Sequence, residues 1–202
     1  RRLGLQGMID DLLREADRPA NTEGVAGKAA DLSTENHLVV GQYLSAVEAT
    51  KLNNPSGLTA YMKPLEGMRE VKAPVLGITG TGGAGKSSLV DELLTRFLND
   101  FEDRTIAVLS VDPSRRKTGG ALLGDRIRMN ALSRDRVYMR SLATRKGNTE
   151  ISDSLGECID VVQAAGFDLI FVETAGIGQG DAAIVPFVDA SLYVMTAEFG
   201  AA

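Results

Sequence analysis

Apolar and polar positions follow two different patterns along this chain, one in the first third and another in the rest. In the first third, apolar side chains recur at helical spacing over residues 3–15 and again over residues 38–47. Between them, residues 16–36 are poor in large apolar side chains and rich in turn formers. The pattern predicts two amphipathic helices joined by a linker, with Thr34 or Asn36 near the cap of the second helix.

The rest of the chain alternates short β-branched or apolar runs with longer helical stretches. Four of these runs predict strands at residues 75–79, 105–111, 168–172 and 192–196. A fifth candidate strand lies at residues 138–142. Helical spacing occupies the intervals at 87–99, about 124–133 and 152–165. Because parallel strands need such crossover connections, the sequence predicts an α/β fold with a mostly parallel sheet flanked by helices.

Composition excludes several broad classes of protein. With 202 residues, 44% hydrophobic and 24% charged, the chain is an ordinary globular sequence. Its single cysteine, Cys158, excludes an internal disulfide framework and predicts a reducing, cytoplasmic compartment. One histidine and one cysteine also exclude a dense His/Cys metal site. No apolar run approaches the roughly 20 residues that span a bilayer, so we expect no membrane contact.

The net charge of −5 conceals a basic segment. Residues 110–150 carry ten basic and four acidic side chains, yet Tyr138 is their only aromatic residue. A basic segment without interleaved aromatics, in an acidic chain, argues against a protein that binds nucleic acid. A phosphate-rich small ligand, an acidic partner protein and simple solvation all remain open for it.

A glycine-rich segment carries the strongest chemical signal. The stretch GTGGAGKS, residues 80–87, fits G-x-x-x-x-G-K-[ST] and lies between a predicted strand and a predicted helix. Glycines let successive N–H groups converge on an anion, and the start of the helix adds its positive end. Lys86 would reach the β- and γ-phosphates, while Ser87 would offer its hydroxyl to Mg²⁺. The other expected nucleotide-binding positions of this loop are Gly80, Gly82, Gly83, Ala84, Gly85 and Ser88.

Acidic residues end two of the predicted strands. Asp112 and Glu173 each follow such a strand, at the sheet edge where open α/β sheets bind ligands. A cap of a turn or helix is the alternative for each of them. Asp125 follows a glycine-rich stretch and is either a third acid or a helix cap. Gly176, three residues after Glu173, suggests a main-chain N–H directed at the γ-phosphate.

Five segments together resemble a known group of proteins. They read VLGITGTGGAGKSSLVDELL, AVLSVDPSRRKTGGALLGDRIRMN, YMRSLATR, AAGFDLIFVETAGIGQGDAAIV and DASLYVMTAEFGA, and they cover residues 75–200 nearly continuously. They look like the metallochaperone branch of the P-loop GTPases and, more narrowly, like the chaperones of adenosylcobalamin-dependent acyl-CoA mutases. The resemblance implies a Mg²⁺ site formed by Ser87, Asp112, Asp125 and Glu173. It also implies that Lys86 and the three acids are the catalytic residues.

The resemblance carries expectations about function as well. Such chaperones hydrolyse GTP to gate the delivery of adenosylcobalamin to the mutase and help to expel damaged cofactor. It implies a GTPase that binds GTP, GDP and Mg²⁺, with an acyl-CoA mutase domain as partner in cis or in trans and a homodimeric full-length protein. Residues 113–125 would form the first switch and residues 174–182 the second.

In the fused members of this group, the chaperone lies between a cobalamin-binding domain and the mutase barrel. Residues 1–15 would then end the cobalamin-binding domain, residues 16–72 would be a linker with a helix, and residues 73–202 would be a GTPase domain truncated at its C-terminus. The base-reading motif [NT]KxD and the cobalamin-ligating motif D-x-H-x-x-G do not occur in the sequence. Guanine specificity therefore rests on the resemblance. A P-loop small-molecule kinase, a nickel metallochaperone GTPase and a non-catalytic nucleotide-binding module stay open as alternatives.

Overall fold

The computed structural model describes residues 4, 7–11, 22–113, 129–133, 135–144, 152–174 and 183–197. The strands are β1 Val75–Gly80, β2 Ile106–Pro113, β3 Val137–Thr144, β4 Leu169–Thr174 and β5 Ala190–Val194. The α-helices are α1 His37–Asn53, α2 Thr59–Met62, α3 Lys86–Asp100 and α4 Leu155–Ala165. Turns of 3₁₀ helix cover Ala26–Asp31, Pro55–Leu58, Lys63–Leu65, Asn130–Ser133 and Val185–Phe187.

The five strands form one sheet in the order β3-β2-β4-β1-β5, and every neighbouring pair is parallel. This confirms the predicted α/β fold, including the fifth candidate strand. Although a long stretch of chain separates β1 from β4, the two are direct neighbours, with Ile78 opposite Glu173. The strand that leads into the glycine-rich loop therefore lies beside the strand that ends in an acidic residue.

Helices cover both faces of the sheet. On one face, Val90, Leu94 and Leu98 recur every four residues along α3 and are buried against the sheet together with Ile78. On the other face, α1 and α4 pack in a second core that includes Leu44. A parallel sheet covered on both faces is the arrangement that its apolar strands require. No helix in the described part of the chain is long and apolar enough to cross a membrane.

The helix α1 begins where its cap was predicted. The side chain of Asn36 accepts a hydrogen bond from the main-chain N–H of Val39 at 3.3 Å, which satisfies one of the free donors of the first turn. Upstream, the turn Ala26–Asp31 brings Val25 and Ala29 into the same core as α1. This turn was not predicted, because the segment has few large apolar residues. The division of the chain at residues 15 and 72 stays a prediction.

Two of the predicted helices fall partly outside the described residues. Of the helix predicted over 3–15, residues 4 and 7–11 are described, and residues 7–11 are helical. Of the helix predicted over about 124–133, the described end contains the 3₁₀ turn Asn130–Ser133. Its main chain is anchored to α3, because the N–H of Ala131 donates to Asp91 at 2.8 Å.

Candidate nucleotide-binding site

The glycine-rich loop joins β1 to α3 and has a shape that two of its glycines make possible. Gly80 has a φ of 135°, and a Cβ at this position would lie 1.9 Å from the main-chain oxygen of Val194 on β5. Gly85 precedes α3 with a φ of 88°, in the left-handed region that favours glycine. Between them, the N–H of Ala84 donates to the carbonyl of Thr81 at 3.2 Å and closes a tight turn. The loop therefore curls back from the sheet edge directly into the helix.

Lys86 is held inside this loop. The side chain is 7% exposed, and its Nζ donates to the carbonyl oxygens of Gly80 and Thr81, each at 3.0 Å. An ammonium group has three donors, so these two contacts fix its position and leave a third donor for a phosphate oxygen. Lys86 also begins α3, where the unpaired N–H groups give the helix end a positive potential. Positive charge is thus concentrated where the sequence predicts phosphates.

Ser87 and Glu173 meet at the neighbouring strand end. The hydroxyl of Ser87 donates to Oε1 of Glu173 at 2.7 Å, and Glu173 is 4% exposed. Both side chains offer oxygen, the ligand that Mg²⁺ prefers, and Mg²⁺ sites use one or two carboxylates together with water and phosphate oxygens. The residues present therefore fit a magnesium ion, and two of the four predicted ligands lie side by side.

Of the other two predicted ligands, the structure describes only the main chain of Asp112. The main chain of Asp112 lies on β2, two residues beyond Ser110, which is opposite Glu173, so it is at the same edge of the sheet. Its side chain, Asp125 and Gly176 lie outside the described residues, as does most of each predicted switch. Within the described ranges, no group of three or more His, Cys, Asp or Glu residues could hold a metal ion.

One pair of residues at the site was missed from the sequence. The hydroxyls of Thr79 and Thr174 are hydrogen-bonded at 2.9 Å, and the two residues are only 3% and 4% exposed. Thr79 precedes Gly80, and Thr174 follows Glu173. The signal that was available is a threonine at each of these strand ends, but it has meaning only once β1 and β4 are known to be neighbours.

Two arginines of the basic segment have structural partners. Arg140 donates to Glu48 on α1 at 2.6 Å. Burial lowers the pKa of Arg140, but the charge and hydrogen bond of Glu48 outweigh it, and the net result is a raised pKa. Arg136 donates to the main-chain oxygens of Leu98 and Phe101 at the end of α3, each at 2.8 Å. This part of the basic segment holds helices to the sheet.

Cys158 is a core residue of the helix α4. It is fully buried in α4, and burial raises the pKa of its thiol well above the ordinary value. A thiol that stays protonated is a poor nucleophile.

These features define a class of protein. A glycine-rich loop between a strand and a helix, a buried lysine within it, and a serine bonded to an acid on the adjacent parallel strand are the marks of a P-loop protein that binds nucleoside triphosphates. The comparison with protein families identifies one family within this class. Residues 42–202 match the family described as methylmalonyl Co-A mutase-associated GTPase MeaB. The chain belongs to this family of GTPases.

Curated relatives of the chain include fused proteins. It is 53% identical over 204 residues to the fused isobutyryl-CoA mutase of Geobacillus kaustophilus, an alignment that covers 100% of this chain and 19% of that protein. It is 69% identical over 144 residues to the fused isobutyryl-CoA mutase of Paraburkholderia xenovorans, covering 68% of this chain and 11% of that protein. The chain therefore spans a fifth or less of the length of these relatives.

A shorter relative and a solved structure agree with this assignment. A putative GTPase of Pyrococcus horikoshii is 45% identical over 123 residues, which cover 60% of this chain and 38% of that protein. The crystal structure of a LAO/AO transport system kinase superposes with a TM-score of 0.59 at 23% identity, covering 86% of this chain and 50% of that one. At this identity the likeness concerns the fold, and it confirms the predicted α/β architecture.

Proposed function

We propose that this chain is the nucleotide-hydrolysing part of a Mg²⁺-dependent GTPase chaperone that gates adenosylcobalamin delivery to an acyl-CoA mutase and protects that enzyme. The observation that carries the proposal is the hydrogen bond from Ser87 to Glu173 beside the buried Lys86. Membership of a mutase-associated GTPase family supports guanine as the base. The names of the fused relatives support a mutase on the same polypeptide.

Phosphate binding is the first task of these residues. The loop from Gly80 to Gly85 would direct its main-chain N–H groups at the β- and γ-phosphates, together with the start of α3. Lys86 would add a charge-assisted hydrogen bond, which is stronger than a neutral one. Its two bonds to loop carbonyls hold the ammonium in place before nucleotide binds, so little side-chain entropy is lost on binding.

The Ser87–Glu173 pair would hold the metal ion. Because Glu173 accepts a hydrogen bond from the hydroxyl of Ser87, the lone pairs of the serine oxygen remain available to a cation. Asp112 and Asp125 are the further acids that we propose for this site. When bound, Mg²⁺ would neutralise charge that develops on the phosphates during transfer.

Coupling to the mutase would come from the segment after Glu173. We propose that Gly176 contributes a main-chain N–H to the γ-phosphate, so that residues 174–182 respond to hydrolysis as a switch. The proposed partner is the mutase domain, in cis or in trans, within a homodimer. The proposed cofactor of that partner, adenosylcobalamin, would be bound outside this chain.

The test uses the intact protein. GTP turnover is measured while Mg²⁺ is titrated, and ATP is added as a competitor. We expect turnover to require Mg²⁺ and GTP to displace ATP. Transfer of adenosylcobalamin to the mutase is then followed by its absorbance spectrum with GTP and with a non-hydrolysable analogue. Preference for ATP would remove the guanine assignment, and transfer that is identical with both nucleotides would remove the gating role.

A further inference from the structure

The backbone pairing of β1 with β4 ends at the edge of the site. Their register ends with Ile78 opposite Glu173. Beyond this point β1 continues to Gly80 alongside β5, while β4 continues to Thr174 alongside β2. The phosphate loop begins at the end of β1, and the last described residue of β4, Thr174, lies at the same edge of the sheet.

The hydroxyls of Thr79 and Thr174 form a hydrogen bond of 2.9 Å between the two strand ends, and both residues are almost completely buried. Since consecutive residues of a strand point to opposite faces, this bond lies on the face of the sheet away from α3. The bond from Ser87 to Glu173 lies on the α3 face. The end of β4 is thus tied to the phosphate loop and its helix by side-chain hydrogen bonds on both faces.

We propose that the Thr79–Thr174 hydrogen bond is a positioning contact that couples the phosphate loop to the end of β4, including Glu173, and so sets the rate of GTP hydrolysis. The inference rests on the proposed function. Thr79 is one residue from the loop and Thr174 is one residue from Glu173, so loss of the bond removes a contact that fixes the distance between the two strand ends. A displacement of about 1 Å can lower a reaction rate roughly 100-fold.

Nucleotide affinity should depend on the bond much less. The contacts that fix Lys86 go to the main chain of Gly80 and Thr81, and a threonine-to-valine change on β4 leaves them in place. The two threonines are therefore positioning residues, which act through the loop and Glu173, and their removal should separate kcat from binding.

The experiment replaces Thr174 by valine in the intact protein. Valine keeps the shape and removes the hydroxyl, so we expect kcat to fall by about tenfold, equivalent to about 1.4 kcal/mol of barrier, while the Kd for GDP stays within about twofold. Thr174→Ser restores a hydroxyl and should return kcat to within about twofold of the wild type. Thr79→Val cuts the same bond from β1, should show the same split, and replaces Thr174→Val if that variant does not fold.

Thr105→Val is the matched control. It removes another threonine hydroxyl bond of 2.9 Å, to Asp168, at the opposite end of β4. We expect this variant to lose stability and to keep its kcat. If Thr174→Val behaves in the same way, or if Thr174→Ser regains stability without regaining kcat, the bond is merely structural and the inference is overturned.

Failure of the proposed function gives a different result. If the wild type binds guanine nucleotide without hydrolysing it, the GTPase proposal fails, and the coupling is read from hydrogen exchange instead. Nucleotide-induced protection of the β4 peptide that contains Glu173 and Thr174 should then be lost in Thr174→Val, and unchanged protection would overturn the inference. A wild type that binds no guanine nucleotide would overturn both.

Discussion

The hydroxyl of Ser87 on α3 donates a 2.7 Å hydrogen bond to the carboxylate of Glu173 on β4, although 86 positions separate the two residues. The contact exists because β4 is the direct neighbour of β1, so the acidic end of one strand lies beside the helix that follows the other. It joins two predicted oxygen ligands of one cation and makes the role of Glu173 testable.

Replacing Glu173 by alanine should impair hydrolysis more than binding. We expect kcat with Mg²⁺ to fall by about 100-fold, since a charged group that we propose for the Mg²⁺ site is lost, while GDP binding without Mg²⁺ changes by only a few fold. Turnover and equilibrium titration measure the two effects. Glu92→Ala is the control, because Glu92 is an exposed residue of α3 that pairs with Arg96 on the surface. Unchanged turnover in Glu173→Ala would remove its role.

Replacing Lys86 by alanine should abolish binding of Mg·GTP. The change removes a buried ammonium that is held by two loop carbonyls. We expect affinity to fall by about 100-fold or more, because truncating a buried, hydrogen-bonded charge costs roughly 2–5 kcal/mol. Calorimetric titration measures it, with Lys72→Ala as the control at an exposed ion pair with Asp160. Normal affinity in Lys86→Ala would contradict the assignment of the loop.

The sequence predicted those parts of the site that depend on local order. The loop, its lysine and its serine follow from eight consecutive residues, and Glu173 follows from an apolar run that ends in an acid. The flanking strand and helix were predicted for the same reason, since their periodicity is contained in a single segment.

The parts that depend on strand order could not be predicted. Nothing local to Thr79 or Thr174 indicates that the two hydroxyls meet, because the meeting requires β1 and β4 to be neighbours in the order β3-β2-β4-β1-β5. The burial of Val25 and Ala29 was missed for a similar reason. Their surroundings are polar in sequence, and only the packing of α1 on the sheet gives them an apolar partner.

Gly80 should tolerate no side chain. In Gly80→Ala, the new Cβ would lie 1.9 Å from the main-chain oxygen of Val194, which cannot move without shifting β5. We expect a loss of about 3 kcal/mol or more in the free energy of unfolding, measured by urea denaturation. Gly27→Ala is the matched control, since its Cβ would meet nothing within 4 Å. Equal stability of the two variants would show that β1 and β5 approach less closely than described.

Asp168 should make the stability of the protein depend on pH at the acidic end. Burial raises the pKa of its carboxyl. Hydrogen bonds from Arg104 at 2.6 Å and from the main chain and side chain of Thr105 have the larger, opposite effect. The pKa is therefore lowered from its ordinary value of 3.8. Between the ordinary pKa and the lowered one, Asp168 is protonated in the unfolded chain but ionised in the folded protein. The stabilisation is therefore complete above about pH 4 and is lost as pH falls through the lowered folded pKa. Asp168→Asn should therefore be less stable than the wild type at pH 7, and the difference should shrink towards pH 2. Urea denaturation at both pH values measures this, with the exposed Asp31→Asn as the control; a difference that is the same at both values would contradict the linkage.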